Sequence, residues 1–283
     1  MSRLTGKRMV LIGAVLSAGL GAGVAVAVQA SASGSPSAPT PPAPPKPGTV
    51  KPALKVQPHA LATNVHCGQI VTATVTLNGD LICSGSGLTV NANSITVNLG
   101  GHSIFGPGDN VSIGVTLNGT SDKVTNGNLV AFRTGAQLQG TSETASSIRA
   151  VGNFDGIVVI GGKDIVTTSQ ALANTQFGIA VAGTGDSVTT NKAISNQYGI
   201  YISGMTEVVT GNSASSNSLY GVYDAGTGNK IATNVTNFNG STGILAADYA
   251  VIDGGGNTAK GNNTTGASFV LVTGEQCYEI ACT

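Results

Sequence analysis

Charge is scarce in this chain. Only 9% of the 283 residues are charged, against about 25% in an ordinary globular domain. The 13 basic residues cancel the 13 acidic ones, so no net field gathers nucleic acid or anionic lipid, and both are excluded as expected partners. Tryptophan is absent and aromatics reach only 4%, yet 41% of the residues are hydrophobic. Low charge with that hydrophobicity excludes a wholly disordered chain, which would be charged and poor in apolar residues. The surface must instead be built from Thr, Ser, Asn and Gly, the last numbering 41. Metal donors are equally thin. The three histidines are scattered, there are three methionines, and the four cysteines contain no C-x₂-C, which disfavours structural zinc and a histidine-rich copper site.

What is present divides the chain into three. Arg3, Lys7 and Arg8 precede an apolar stretch from Met9 to Val28, and Ala30-Ser31-Ala32 offers an A-x-A cleavage site. Residues 1–32 read as a secretory signal peptide. The alternative is a retained anchor, since about 20 apolar residues can span a bilayer. Nine of the ten prolines fall between Pro36 and Pro58, so 33–63 read as a disordered Pro/Ala-rich linker, an extended spacer. Residues 64–283 form the folded domain, expected to be secreted, monomeric and free of the membrane after cleavage, with the linker able to hold it off a cell wall. Cys67 and Cys83 open this domain while Cys277 and Cys282 close it. Three connectivities are possible, of which two local pairs, one at each end, suit an oxidising exterior.

A repeat runs through the domain. Gly114, Gly135, Gly156, Gly178, Gly199, Gly221, Gly243 and Gly266 recur at intervals of 21 to 23. Asn153, Asn174, Asn196, Asn217, Asn239 and Asn262 keep the same beat. Two ladders with one period indicate a repeat architecture. After each Gly the first and third residues are mostly apolar, as in Ile157/Val159, Ile179/Val181 and Ile200/Ile202, which is the alternation of a half-buried strand. A turn cluster, a second short strand and a third strand of small residues complete the unit. Three strands in about 22 residues leave no room for helices, and stacking one turn on the next at about 4.8 Å makes a three-sided parallel β-helix. Nine to ten turns are expected.

The ladders then have physical reasons. A carboxamide both donates and accepts, so stacked Asn side chains can bond along the axis and satisfy buried amides. The Gly marks a close backbone approach or a bend into the strand. Phe177, Tyr198 and Tyr220, each just before its Gly, are expected to stack on consecutive turns and pack the coil.

The segment CGQIVTATVTLNGDLICSGSGLTVNANSITVNLGGHSIFGPG, residues 67–108, carries Asp80-x-x-Cys83 and then Asn98-Leu99-Gly100-Gly101-His102-Ser103-Ile104-Phe105-Gly106. It resembles the opening of secreted right-handed parallel β-helix repeat proteins of the pectate-lyase-like and NosD-like kind, with Asn98 in place of their Asp. With the repeats the resemblance covers about residues 67–270 and implies a right-handed coil and a secreted lifestyle, while the low-charge, Ala/Gly/Thr-rich composition looks actinobacterial. It implies little about activity, because such folds include polysaccharide lyases, glycoside hydrolases, C5-epimerases, copper-loading proteins and adhesins.

Residues placed to do chemistry are correspondingly few. Asp122, Asp164, Asp186 and Glu207 lie near one corner, with Asn229 next in line. They read as solvated turn residues, and calcium along that edge is the only cofactor the sequence could suggest. The polygalacturonase set is absent, and His102 lacks carboxylate companions and reads as a turn residue. Asp224 breaks the repeat at an inward position; a bulge turning it outward is the simplest reading, and a perturbed catalytic carboxylate is the other. Tyr223 is its companion candidate. Tyr201 and Tyr223, outward on adjacent turns beside Ala180 and Leu245, suit stacking on sugar faces. Ice binding is disfavoured because Thr-x-Thr does not recur in register. The expected function is a non-catalytic β-helix that binds extracellular or cell-wall polysaccharide or builds the cell surface. The alternative is a divergent polysaccharide lyase or C5-epimerase acting through Tyr223 and Asp224.

Overall fold

The computed structural model describes residues 62, 64–247, 250–262, 277–278 and 280–282. The expected signal segment and, apart from Ala62, the expected linker lie outside the described residues. The described part is all β. One sheet holds ten strands, among them Asp155–Val159, Phe177–Val181, Tyr198–Ile202, Tyr220–Asp224 and Ile244–Ala246, each pairing with the strand of the next turn. A second sheet supplies the other two sides. Its strands Ile165–Thr167, Ser187–Thr189, Val208–Thr210 and Lys230–Ala232 form one column, and Gln170–Leu172, Lys192–Ile194 and Ser213–Ser215 the other. The pairing is parallel and in repeat register: Ile179 faces Ile200, Ile200 faces Val222, and Val222 faces Ile244. This is the three-sided parallel coil that the periodicity requires.

The inward positions fill the axis. Ile157, Ile179, Ile200 and Val222 are fully buried, as are Val188 and Val209 on the second side. On the third side Ala171, Ala193 and Ala214 are buried at the same depth, so small residues there let the coil close tightly. The second and third sides are joined by a kink rather than a loop. Thr168, Thr190 and Thr233 occupy it in the left-handed region, with φ of 50°, 57° and 53°. Asn191, Asn212, Asn234 and Asn257 stack beside this kink, forming a second carboxamide ladder that the Gly-based alignment does not reveal. Asn191 Nδ2 donates to Asn212 Oδ1 at 3.1 Å, and Asn212 Oδ1 also accepts the Asn191 backbone N–H at 2.9 Å. The ladder thus satisfies backbone groups at a bend where sheet bonding is interrupted.

The cysteines pair locally at both ends, Cys67 with Cys83 and Cys277 with Cys282. Hydroxyl residues prove to be in register after all. Thr125, Ser146, Thr167, Thr189 and Thr210 form one outward column on the second side. The column holds one hydroxyl residue per turn and is not a recurring Thr-x-Thr array. Its hydroxyls bond one another, as Thr189 to Thr167 at 3.2 Å.

Candidate glycan-binding face

Five aromatic rings meet on the ten-stranded sheet. In each turn the Gly bends the chain so that the residue before it and the residue two after it share the outer face. Tyr198 and Tyr201 therefore belong to two columns of one surface. The Phe177 and Tyr198 ring centroids are 5.4 Å apart and those of Tyr198 and Tyr220 5.6 Å, as stacking on consecutive turns requires. The columns also touch each other. Phe177 stacks on Tyr201 at 4.8 Å, Tyr220 stacks on Tyr223 at 5.2 Å, and Tyr201 lies 5.7 Å from Tyr223. All five are half-buried, whereas Ile200 and Ile202 between them face the core. Phe177, Tyr198 and Tyr220 thus do more than pack the coil: they widen the platform expected of Tyr201 and Tyr223 alone. Ala180 and Leu245 flank it in register. Burial and the neighbouring rings raise the phenol pKa values of Tyr198 and Tyr223, keeping both hydroxyls neutral donors.

One polar pair borders the platform. Asp155 occupies the turn before Phe177, and its Oδ1 accepts the Phe177 backbone N–H at 3.4 Å. Arg133 reaches Asp155 Oδ2 at 3.6 Å and lies over the Phe154 ring, 4.5 Å from its centroid. Burial raises the Asp155 pKa, against the pull of the Phe177 N–H and the Arg133 charge. Neither residue stands out in the sequence, because each occurs once and breaks no ladder.

Asp224 does not turn outward. Its strand keeps register, Ile202 to Asp224 to Ala246, so its carboxylate takes an inward position and is fully buried. Oδ1 accepts from Gly226 N–H at 2.9 Å and from Asn229 Nδ2 at 2.7 Å, two donors that hold the carboxylate inward. The neighbouring Tyr223 side chain faces the opposite way, so the structure does not bring the two candidates to one surface. The corner acids also differ from expectation. Asp122, Asp164, Asp186 and Glu207 are 0 to 1% exposed rather than solvated. Glu143, unrecognised in the sequence, stands between Asp122 and Asp164 in the same column, at the same 21-residue spacing. His102 approaches buried Asp80, Nδ1 to Oδ1 at 3.6 Å, inside the N-terminal turns.

A parallel β-solenoid with an aromatic outer strip defines the class. Within it, the chain belongs to the family described as periplasmic copper-binding protein (NosD), whose model matches residues 113–275. No curated protein matches the chain. Among solved structures it is similar to the Dettilon tailspike protein, with 13% identity and a TM-score of 0.44, covering 68% of this chain and 54% of that one. It is also similar to the A-module of an Azotobacter vinelandii mannuronan C-5 epimerase, with 16% identity and a TM-score of 0.43, covering 74% and 71%. A periplasmic alginate epimerase gives 12% identity and a TM-score of 0.36, covering 70% and 59%.

The family name implies copper, and the donors among the described residues do not fit it. All four cysteines are in disulfides. Among the described residues no group of three or more His, Cys, Asp or Glu could hold a metal. The His66 ring nitrogen is within 3.1 Å of Cys67 O, and His102 is taken up by Asp80. The family's periplasmic description and the two disulfides are those of a protein working outside the cytoplasm.

Proposed function

We propose that the protein is a non-catalytic polysaccharide-binding β-helix of the periplasm or cell exterior, which holds a glycan chain along its five-ring face. The observation that carries this reading is the contiguous cluster of Phe177, Tyr198, Tyr201, Tyr220 and Tyr223. Flat rings bury the apolar faces of pyranose units, and the tyrosine hydroxyls offer polar tips to the sugar edges. Successive turns at about 4.8 Å present rings at a repeat comparable to one sugar residue, so a chain lying along the axis meets a ring at each step. Arg133 and Asp155 supply a donor and an acceptor at one end of the strip. The linker suits a domain tethered near the cell wall. The reading requires no cofactor. A lyase or epimerase built on Asp224 is disfavoured because that carboxylate faces the core.

Affinity electrophoresis against a panel of neutral and acidic polysaccharides tests the proposal, with each incubation assayed for new unsaturated or reducing ends. The wild-type protein is retarded by at least one polymer, releases no product, and loses retardation in the Tyr201→Ala/Tyr223→Ala variant. Product release overturns the non-catalytic reading, and unaltered retardation of the variant overturns the assignment of the face.

A further inference from the structure

The buried corner column runs Asp122, Glu143, Asp164, Asp186, Glu207 and Asn229, one residue per turn. Every side chain but Glu143 places one oxygen to accept a backbone N–H from the turn before. Ile95 donates to Asp122 Oδ1 at 2.7 Å, Glu143 to Asp164 Oδ1 at 2.7 Å, and Asp164 to Asp186 Oδ1 at 2.8 Å. Asp186 donates to Glu207 Oε2, and Glu207 to Asn229 Oδ1 at 2.8 Å. Glu143 Oε2 instead accepts from Gly140 N–H at 3.0 Å.

The second atom of each group separates Asn229 from the others. Asn229 Nδ2 donates to Gly204 O at 3.3 Å, a carbonyl of the preceding turn. At the same place in the turns before stand oxygens: Glu143 Oε1, Asp164 Oδ2, Asp186 Oδ2 and Glu207 Oε1, buried and without a hydrogen-bond partner. The crowding around them repeats that of Asn229. A Cβ on Gly226 would lie 1.9 Å from Gly204 O and 2.6 Å from Asn229 Nδ2. One on Gly161 would lie 2.1 Å from Gly140 O and 2.5 Å from Asp164 Oδ2, and one on Gly204 would lie 2.6 Å from Gly183 O and 2.3 Å from Glu207 Oε1. The geometry that holds a donor and an acceptor at Asn229 holds two acceptors in the other turns. Two buried acceptors facing each other repel unless a hydrogen lies between them.

We propose that this column is a proton-binding ladder, in which Glu143, Asp164 and Glu207 stand as neutral carboxylic acids and donate their hydroxyls to Gly119 O, Gly140 O and Gly183 O, as Asn229 donates its amide to Gly204 O. The electrostatics agree. Burial pushes Glu143 and Glu207 from 4.5 to about 7 and Asp164 from 3.8 to about 6, with repulsion between column members adding to each. Burial raises Asp186 as well. Lys123, Lys163 and Lys230 are chain neighbours of Asp122, Asp164 and Asn229, but they are exposed, and among the described residues no ion pair joins them to the column. From the adjacent ten-stranded sheet, Asp224 faces Asn229, and the positions equivalent to Asp224 on earlier turns are apolar Leu138, Val159, Val181 and Ile202. No cation opposes protonation from that side.

A carboxyl whose folded pKa is raised stabilises the fold fully below its unfolded value and loses that contribution as pH rises through the folded value. The window here runs from the ordinary carboxyl range, 3.8 to 4.5, to about 7. Within it, for each proton the fold retains, the folding equilibrium constant falls about tenfold per unit rise in pH.

Urea unfolding of the full chain between about pH 4 and about pH 8, for wild type and for Glu143→Gln/Asp164→Asn/Glu207→Gln, tests the ladder. Infrared spectra of both proteins at neutral pH report the protonated carboxyl band. The wild-type midpoint falls as pH rises, whereas the variant, carrying permanent amide donors, has a shallower slope and exceeds wild type at the alkaline end. The carboxyl band is present in wild type and weaker in the variant. A wild-type midpoint that is flat or rises with pH, an unchanged slope in the variant, or no carboxyl band at neutral pH overturns the proposal. So does stabilisation of wild type by calcium at the alkaline end that the variant lacks, which would put a cation where the protons are placed. If the triple variant does not fold, the three single variants and the wild-type infrared band decide.

Discussion

Asn196 Nδ2 donates to Asn217 Oδ1 at 3.1 Å, although the two residues are a full turn of the coil apart. The same Nδ2 reaches Ala171 O at 3.0 Å, and Asn196 Oδ1 accepts both the N–H and the Nδ2 of Asn174 at 3.0 Å. Asn196→Ala strands buried partners on the turns to either side. Each unpaired buried group costs about 1–3 kcal/mol, so a loss of several kcal/mol is expected, seen as a lower urea midpoint. Asn64→Ala, at an exposed side chain, is the control and shifts the midpoint little.

Gly199 and Gly101 separate two reasons for glycine. A Cβ on Gly199 would lie 2.5 Å from Gly221 O and 2.6 Å from Asn217 Nδ2, so neighbouring turns would have to part. Gly199→Ala is expected to cost at least the 1–3 kcal/mol typical of overpacking and to disturb the ring cluster beside it. Gly101 has open space around it and a φ of +82°, so Gly101→Ala costs only the backbone strain, about 1 kcal/mol. Chemical denaturation of the two variants should rank them in that order.

Much of this was legible because a coil must satisfy every turn in the same way. A buried Asn that feeds the next Asn has to recur, and so does a Gly on which any Cβ would meet the carbonyl oxygen of the next Gly. Positions that tolerate exchange were harder to see. Glu143 and Asp164 serve one column with side chains of different length, and Asp is also common in solvated turns, so the burial of the acids was hidden. Tyr198 and Tyr201 differ by three residues and look like different ladders in sequence. The bend at Gly199 and the reach of two rings bring them to 6.0 Å. The orientation of Asp224 depended on a partner, Asn229, that arrives only after the following turn.

The two disulfides should differ in worth. Cys67–Cys83 closes a separation of 16 residues and Cys277–Cys282 one of 5. Chain entropy gives about 3 kcal/mol for the first and about 2 kcal/mol for the second. Cys67, Cys277 and Cys282 all pack against the core cluster, but only Cys83 lies within it, so Cys67→Ser/Cys83→Ser removes more apolar packing. Thermal unfolding should show the larger drop for this pair. An equal or smaller drop than for Cys277→Ser/Cys282→Ser would mean that the N-terminal turns are held chiefly by their other contacts.

Asp224→Asn and Asp224→Leu distinguish a structural carboxylate from a catalytic one. Asn can present its Oδ1 to Gly226 N–H and Asn229 Nδ2 as Asp224 does. Its stability should therefore stay near wild type, and its glycan retention should be unchanged, because the side chain faces the core on the opposite side of the strand from Tyr223. Leu fits the inward position, which is apolar on earlier turns, but leaves two buried donors without their acceptor. At about 1–3 kcal/mol per stranded group its unfolding midpoint falls clearly, while the folded fraction still binds polysaccharide. A catalytic Asp224 predicts a different outcome: wild type would release product, and Asn would abolish it at unchanged stability. Measuring retention, product and unfolding on the same two variants therefore decides the role of this residue.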